Sequence, residues 1–341
     1  MPVTVIVGGQ FGGEGKGKVA CCLALEQGAS IAVRCGGTNS GHTVVDANND
    51  IHILRQLPTA AILPDVKLVL CAGSYINPSI LEEEVKRLSI PPERLLIDCN
   101  ATVITPEMIR QEQNGELIDN ISSTGSGTGA AVGARIERHQ NGLLAKDCRQ
   151  LRPYIRENVD ELFRNSMNGN ERLIIEGTQG FGLSLLHSPY YPFVTSRDTP
   201  AMAFLSEAGI SPFDVDCIVL TLRTFPIRVG GHSGPLPNEI DWDTLVRDFA
   251  LPPGTCEYAS VTKKLRRIAR FDYDIVRKAI STNRPTHIIM NHIDYLSGSR
   301  ADNYKTVDDF VESFARITGQ PINYIGVNRK SISLVERASC Q

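Results

Sequence analysis

The run Gly8-Gly9-Gln10-Phe11-Gly12-Gly13-Glu14-Gly15-Lys16-Gly17-Lys18 packs six glycines and two lysines into eleven residues. Glycines leave backbone N–H groups open to an anion and lysines add charge, so the run has the chemistry of a phosphate cradle. Its spacing, Gly12, four residues, Gly17, Lys18, nearly matches the P-loop. Val19, however, stands where that pattern carries the magnesium-binding hydroxyl. A tight strand-to-helix turn is the plainer reading of the same glycines. A second loop, Cys35-Gly36-Gly37-Thr38-Asn39-Ser40-Gly41-His42-Thr43, sets a histidine among glycines and small polar residues. Its imidazole can act as an acid or a hydrogen-bond donor near neutral pH, or simply be structural.

Three further stretches carry chemistry. Ser122-Ser123-Thr124-Gly125-Ser126-Gly127-Thr128-Gly129 offers hydroxyls and exposed N–H groups that suit a phosphate monoester, or it is a mobile surface loop. Glu176-Gly177-Thr178-Gln179-Gly180-Phe181-Gly182 follows the strand-like Arg172 to Ile175. Gln179 there can read a purine edge, because an amide is both donor and acceptor; the alternative is a helix-start turn. Ser260-Val261-Thr262-Lys263-Lys264-Leu265-Arg266-Arg267 is either an anion clamp placed ahead of a helix or a solvated helix face. The segments 191–198 and 228–231 read as two more loops over the same site.

These loops need a scaffold. Strands are expected at 3–8, 30–35, 67–72, 94–98, 172–176, 215–222 and 286–290. Helices are expected at 16–27, 78–88, 106–113, 153–167, 242–249, 272–283 and 306–318. The strands are short and apolar without polar alternation, which indicates a sheet buried on both faces. Alternation with helices indicates an α/β fold, a mostly parallel central sheet with right-handed crossovers. No long linker, repeat or low-complexity segment interrupts the pattern, so residues 1–341 are expected to form one domain with long functional loops.

The chain has 341 residues, a net charge of -3 and 42% hydrophobic residues. That balance argues against a nucleic-acid or membrane surface. No apolar run approaches the roughly 20 residues of a membrane span, and no signal peptide is expected ahead of the first strand. Nine cysteines, an odd number without Cys-x-x-Cys spacing, read as reduced thiols in a cytosol, not as a zinc site or a disulfide framework.

In order along nearly the whole chain, these motifs resemble the adenylosuccinate synthetase family. The resemblance rests on 8–18, Asn39-Ser40-Gly41-His42-Thr43, Ser123-Thr124-Gly125, Glu176-Gly177-Thr178-Gln179-Gly180 and Tyr191-Pro192-Phe193-Val194-Thr195-Ser196. It implies that family's P-loop-like fold, a homodimer and magnesium. It also implies a reaction in which a nucleoside triphosphate phosphorylates a purine O6 and L-aspartate displaces that phosphate. By the same resemblance His42, Lys16 and Gln179 are catalytic. Gly12, Gly15, Lys16, Gly17, Lys18, Gly41, Thr43, Asp294 and Gly326 would hold the triphosphate. Asn39, Ser123, Thr124, Thr195, Gln179, Gly230 and Gly13 would hold the purine monophosphate, with Arg138 reaching it from the second subunit. Val261, Thr262, Lys264 and Arg266 would hold aspartate. The Gly41 carbonyl, and the Gly13 backbone, would ligate magnesium.

Several positions depart from the family pattern. Gly13 stands where these synthetases carry an aspartate that takes the purine N1 proton and helps bind magnesium. Val261 replaces a threonine, Lys264 an arginine and His292 a lysine, and lysine is no equal of arginine at a bidentate site. The departures resemble the phage branch that makes 2-amino-2'-deoxyadenylosuccinate from dGMP with ATP or dATP, on the pathway to diaminopurine DNA. That branch would place the protein in a host cytoplasm. A side chain missing beside N1 would leave room for the guanine 2-amino group. An ordinary synthetase using IMP and GTP, with Asp294 reading guanine, and an inactive nucleotide-binding homologue are the rival readings.

Overall fold

The computed structural model describes residues 2–138, 144–296 and 306–335. Its centre is a ten-stranded sheet. Numbered along the chain, the strands are β1 Val3–Gly8, β2 Ala29–Arg34, β3 Lys67–Leu70, β4 Leu95–Asp98, β5 Ile155–Arg156, β6 Arg172–Glu176, β7 Val215–Arg223, β8 His287–Asn291, β9 Tyr324–Gly326 and β10 Ser333–Leu334. Their spatial order is β10-β9-β8-β7-β1-β6-β2-β3-β4-β5. Only β10 is antiparallel to its neighbour; the other pairings are parallel.

β1 sits between β6 and β7, with every residue buried. Alternate residues face opposite layers. Val3, Val5 and Val7 join a core with Phe163, Phe204, Phe310 and Phe314. Ile6 joins a second core with Val19 and Leu23 of the first helix, Lys16–Glu26. This two-sided burial is why the strands read as apolar runs without alternation. The parallel arrangement also gathers the strand ends. Gly8, Arg34, Glu176, Arg223 and Asn291 end five adjacent strands on one edge, so five loops leave the sheet together there.

The seven expected strands and seven expected helices are all present, with one displaced boundary. The helix expected at 153–167 begins only at Val159. Pro153 sits in a 3-10 turn, Arg149–Tyr154, and β5 follows it; a residue without an N–H cannot join an interior helical ladder. The stretch 122–129 is a loop only as far as Gly127, where the helix Thr128–Ile136 begins. The pattern also misses the hairpin His42–Val45 with Ile51–Leu54, the helix Ala201–Ala208 and a small sheet of Ile227–Arg228, Arg267–Ala269 and Glu239–Ile240. These pieces are too short to show a period. The eight described cysteines are free thiols. Among the described residues no helix is long and apolar enough to cross a membrane.

Candidate active site

The glycine-rich loop between β1 and the first helix is closed on itself by a carboxylate. Glu14 is fully buried; one oxygen accepts the N–H groups of Gln10 (3.1 Å) and Gly12 (2.8 Å). The other meets the Lys16 ammonium at 2.7 Å, also buried. A side chain at Gly8 would run into the Gln179 carbonyl (2.6 Å), Glu14 Oε2 (2.7 Å) and Lys16 Nζ (2.8 Å), so these groups meet at the end of β1. Lys16 and Gln179, 163 positions apart by number, are thereby neighbours. Gln179 takes a left-handed φ of 62°, which turns the chain sharply after β6.

His42 joins this cluster. It starts the hairpin strand His42–Val45, and its Cβ presses on Gly17 in the first turn of the helix. Its Nδ1 bonds Glu176, the last residue of β6. Glu176 also receives Arg34 Nη1 at 3.3 Å, and the N–H and hydroxyl of Thr59 at 2.7 and 2.8 Å. Burial first, and the nearby Arg34 charge second, push the His42 pKa down to about 4 against the pull of Glu176. Burial raises the Glu176 carboxyl, but the His42 hydrogen bond, together with Arg34, outweighs it and holds the group at about 2. At neutral pH the imidazole is neutral with its proton on Nδ1, and Nε2 is left for a ligand.

The loop 122–129 carries its own anion. Glu112, in the helix Pro106–Gln113, accepts the N–H of Gly127 (2.7 Å) and of Ala130 (3.0 Å) at the start of Thr128–Ile136. One N–H group that the sequence offered to a phosphate, that of Gly127, is therefore already engaged. Thr124 Oγ1 donates to Ser126 Oγ at 3.1 Å, and Ser123 Oγ accepts the Gly125 N–H at 3.4 Å. Ser196, beside Thr195, lies 3.8 Å from where a Gly129 side chain would start, which brings the 191–198 loop to this helix. Arg138 is exposed just past the end of that helix.

The segment 257–266 is a hairpin, bridged at Tyr258 and Leu265, that runs into the strand Arg267–Ala269 and not straight into a helix. Lys264 is exposed at its tip, Val261 is half-buried, and the Thr262 hydroxyl is buried without a hydrogen-bond partner. Arg266 reaches inward to Glu257 at 2.8 Å. Glu257 also binds the fully buried Arg223 and accepts the Tyr295 hydroxyl at 3.0 Å. Burial raises the Glu257 carboxyl, but the Arg223 charge outweighs it and leaves the group well below the usual carboxylate range. Gly230 packs against the backbone of Leu265, and a side chain on Gly41 would start 2.9 Å from Ser260 Oγ, so the hairpin lies against two other site loops.

Lys18, on the first helix, donates to the Asn328 carbonyl at 2.8 Å, and burial lowers its pKa to about 8. Gly326 ends β9 against Lys18 Nζ and the Asn291 amide, leaving no room for a Cβ. Asn291 donates to the Glu14 carbonyl at 2.7 Å and keeps a buried Oδ1 without a partner. Asp294 is exposed one short turn further on, while burial, and Arg223 after it, press the His292 pKa down to about 3. Thr43 is exposed and Asn39 half-buried at the hairpin entrance.

Sequence reasoning found the loops but missed the side chains that fix them: Glu14, Glu112, Glu176, Arg223, Glu257 and Arg228. Arg228 is buried, stacks on Phe11 at 4.8 Å and on Tyr190 at 5.8 Å, and donates to the Phe193 and Pro235 carbonyls at 2.6 Å. A charged residue inside an apolar strand end was the available signal for Glu176 and Arg223. Donors for magnesium are scarce. Both Glu14 oxygens are engaged, the Gly13 carbonyl accepts Arg223 Nη1 at 3.2 Å, and among the described residues no three His, Cys, Asp or Glu side chains gather. A guanidinium on the Gly13 carbonyl works against a dication there. Among the described residues, side chains alone do not form a magnesium cage.

Known proteins resemble this chain along most of its length. The sequence model of the adenylosuccinate synthetase family matches residues 5–151 and 143–315. The adenylosuccinate synthetase of Thermococcus onnurineus is 34% identical over 347 residues, covering 99% of both chains. That of Methanocaldococcus jannaschii is 34% identical over 332 residues, covering 94% of this chain and 93% of its own. Among solved structures, a cyanophage S-2L succinoaminodeoxyadenylate synthetase bound to dGMP, with dATP as energy donor, superposes with a TM-score of 0.81 at 28% identity, covering 98% of this chain and 95% of its own. A fully ligated adenylosuccinate synthetase from Plasmodium falciparum superposes with a TM-score of 0.86 at 20% identity, covering 98% and 100%, a likeness of fold.

Proposed function

The chain belongs to the adenylosuccinate synthetase family, whose members join aspartate to a purine nucleotide, and within it we propose that the acceptor is dGMP. The reaction would use ATP or dATP and give 2-amino-2'-deoxyadenylosuccinate monophosphate, a diphosphate and phosphate. The observation that carries this reading is Gly13, in the loop that joins β1 to the first helix. An acceptor with a substituent at C2 favours a site without a carboxylate beside N1. The cyanophage enzyme, whose fold this chain shares, binds dGMP and dATP.

In the first step the purine O6 attacks the γ-phosphorus, the N1 proton passes to solvent water and the diphosphate leaves. In the second the aspartate amine attacks C6, gives up a proton to solvent water, and the phosphate leaves. Lys16 and the loop N–H groups would hold the triphosphate. Negative charge arriving beside His42 would favour its imidazolium, with Nδ1–H kept on Glu176 and Nε2–H turned to the phosphoryl oxygens. Gln179 would orient the purine, and Ser123, Thr124 and Thr195 would hold its phosphate with Arg138 of a second subunit. Arg266 and the free Thr262 hydroxyl would receive aspartate. Members of the family use magnesium; bound here it would withdraw charge from the transferred phosphoryl group, with the Gly41 carbonyl as the ligand this chain would offer.

One observation favours the second reading, IMP with GTP. Asp294 is an exposed carboxylate that could accept guanine N1–H and N2–H. Purified protein, aspartate and magnesium, given dGMP or IMP with ATP, dATP or GTP, separates the two. Condensation of dGMP is expected. Turnover of IMP alone would overturn the proposal, and tight nucleotide binding without phosphate release would favour an inactive homologue.

A further inference from the structure

The direction in which a side chain at Gly13 would point is already filled. A Cβ there would stand 2.5 Å from Ile227 Cδ1, 3.2 Å from Ile227 Cγ1 and 3.4 Å from Arg266 Nη1. Ile227 is 4% exposed, so a δ-methyl turned away from Gly13 would have to find room among packed neighbours. Its backbone is fixed on both sides. Ile227 and Arg228 pair antiparallel with Ile268 and Arg267, and Ala269 donates to the Pro226 carbonyl at 2.9 Å. Arg228 is clamped in turn by Phe11 and by the Phe193 carbonyl. The Gly13 φ of 68° strains any side chain, though Asp and Asn tolerate it better than most residues. The δ-methyl of Ile227 adds a steric obstacle to that strain.

We propose that Ile227 is a specificity-determining residue that acts jointly with Gly13, its side chain occupying the volume a carboxylate at position 13 would require. This rests on the dGMP reading and extends it. The place of the missing side chain is taken by hydrocarbon from a strand far away in sequence, with the Arg266 guanidinium 3.4 Å away at its edge. The acceptor meets a glycine and an isoleucine where a carboxylate-bearing site would present a charge. Restoring the charge alone forces a buried methyl and a carboxylate into one volume, and close packing gives neither a free exit. The two substitutions must therefore be made together to change the acceptor.

Four proteins test this: the unchanged chain, Gly13→Asp, Ile227→Val and the double variant. Valine removes only the δ-methyl and keeps the branch. Initial rates are measured with dGMP and with IMP, and thermal midpoints are measured on the same samples without ligand. Gly13→Asp alone is expected to lose dGMP turnover without gaining IMP turnover. The double variant is expected to exceed Gly13→Asp in kcat/KM for IMP by about tenfold or more, a coupling typical of residues in contact. The midpoint should fall on Gly13→Asp and recover in part when Ile227→Val is added, which a merely inactive site would not do. Equal IMP activity and equal midpoints for Gly13→Asp with and without Ile227→Val would overturn the inference. Failure of the dGMP reading shows separately, as an unchanged chain that turns over IMP and not dGMP, and the midpoints still report the packing.

Discussion

Two glycine-rich loops in this molecule lead into helix N-termini, and each has a carboxylate seated on its N–H groups. In the 8–18 loop that carboxylate is Glu14, a member of the loop itself, and a lysine two residues later neutralises it. In the 122–130 loop it is Glu112, from the preceding helix, and it bonds only Gly127 and Ala130 among its described hydrogen-bond partners. The first loop is thus a self-contained, charge-balanced cage, closed between Gln10 and Lys16. The second is an anion site held in shape by a tertiary contact. Backbone N–H groups at a helix start attract negative charge in either case. Where the charge comes from decides what an incoming phosphate must displace or share: a lysine–glutamate pair in one loop, hydroxyls beside a fixed carboxylate in the other.

The contrast can be broken at several points. The largest effect on stability is expected from Glu14→Gln, which leaves the buried Lys16 ammonium without its anion at 2.7 Å. Removing one partner of a buried pair costs about 3–5 kcal/mol, and urea unfolding measures it; a loss near zero would mean that the loop is not charge-balanced by Glu14. On the same side of the site, His42→Asn should lower kcat by roughly 10²–10⁴, the usual worth of a positioned acid, and change KM little. A parent-like kcat in steady-state assays would remove His42 from the chemistry. A smaller effect belongs to the second loop. Glu112→Gln should destabilise by about 1–3 kcal/mol through poorly paired N–H groups, and should raise KM for the nucleoside monophosphate more than for the triphosphate. Equal rises in both would erase the distinction between the loops.

The last expectation concerns pH. His42 titrates at about 4 when folded, below its ordinary value of 6.5. Between those values the unfolded chain binds the proton and the folded one does not, so stability is full above pH 6.5 and falls as pH drops towards 4. Replacing His42 by Asn should flatten that part of the unfolding profile. A parent-like slope would show that the imidazole is not held neutral.

Much of the frame was open to sequence reading. β1, β6 and the helix Pro106–Gln113 stand where their patterns put them, because two-sided burial and a capped, proline-led helix start leave local marks. The helix Trp242–Phe249 was legible for the same reason: an aspartate caps it and its apolar face repeats. The small sheet that carries Ile227 left no such mark, with strands of two or three residues. Nor did the hairpin at 257–266, whose charges read equally well as a solvated helix face.

The amino-acid order by itself marked which loops have the composition for phosphate chemistry, because glycine spacing, Lys16, His42 and Gln179 are legible as residue types. It also marked position 13 as a place without a side chain. Only the tertiary structure decided what fills that place, since Ile227 lies 214 residues further on by number and comes to Gly13 through a strand pairing beyond any local pattern. The same holds for Glu112 and for Glu257 with Arg223. A buried charge chooses its partner by distance in space, and that distance is set by how the sheet edge gathers its loops.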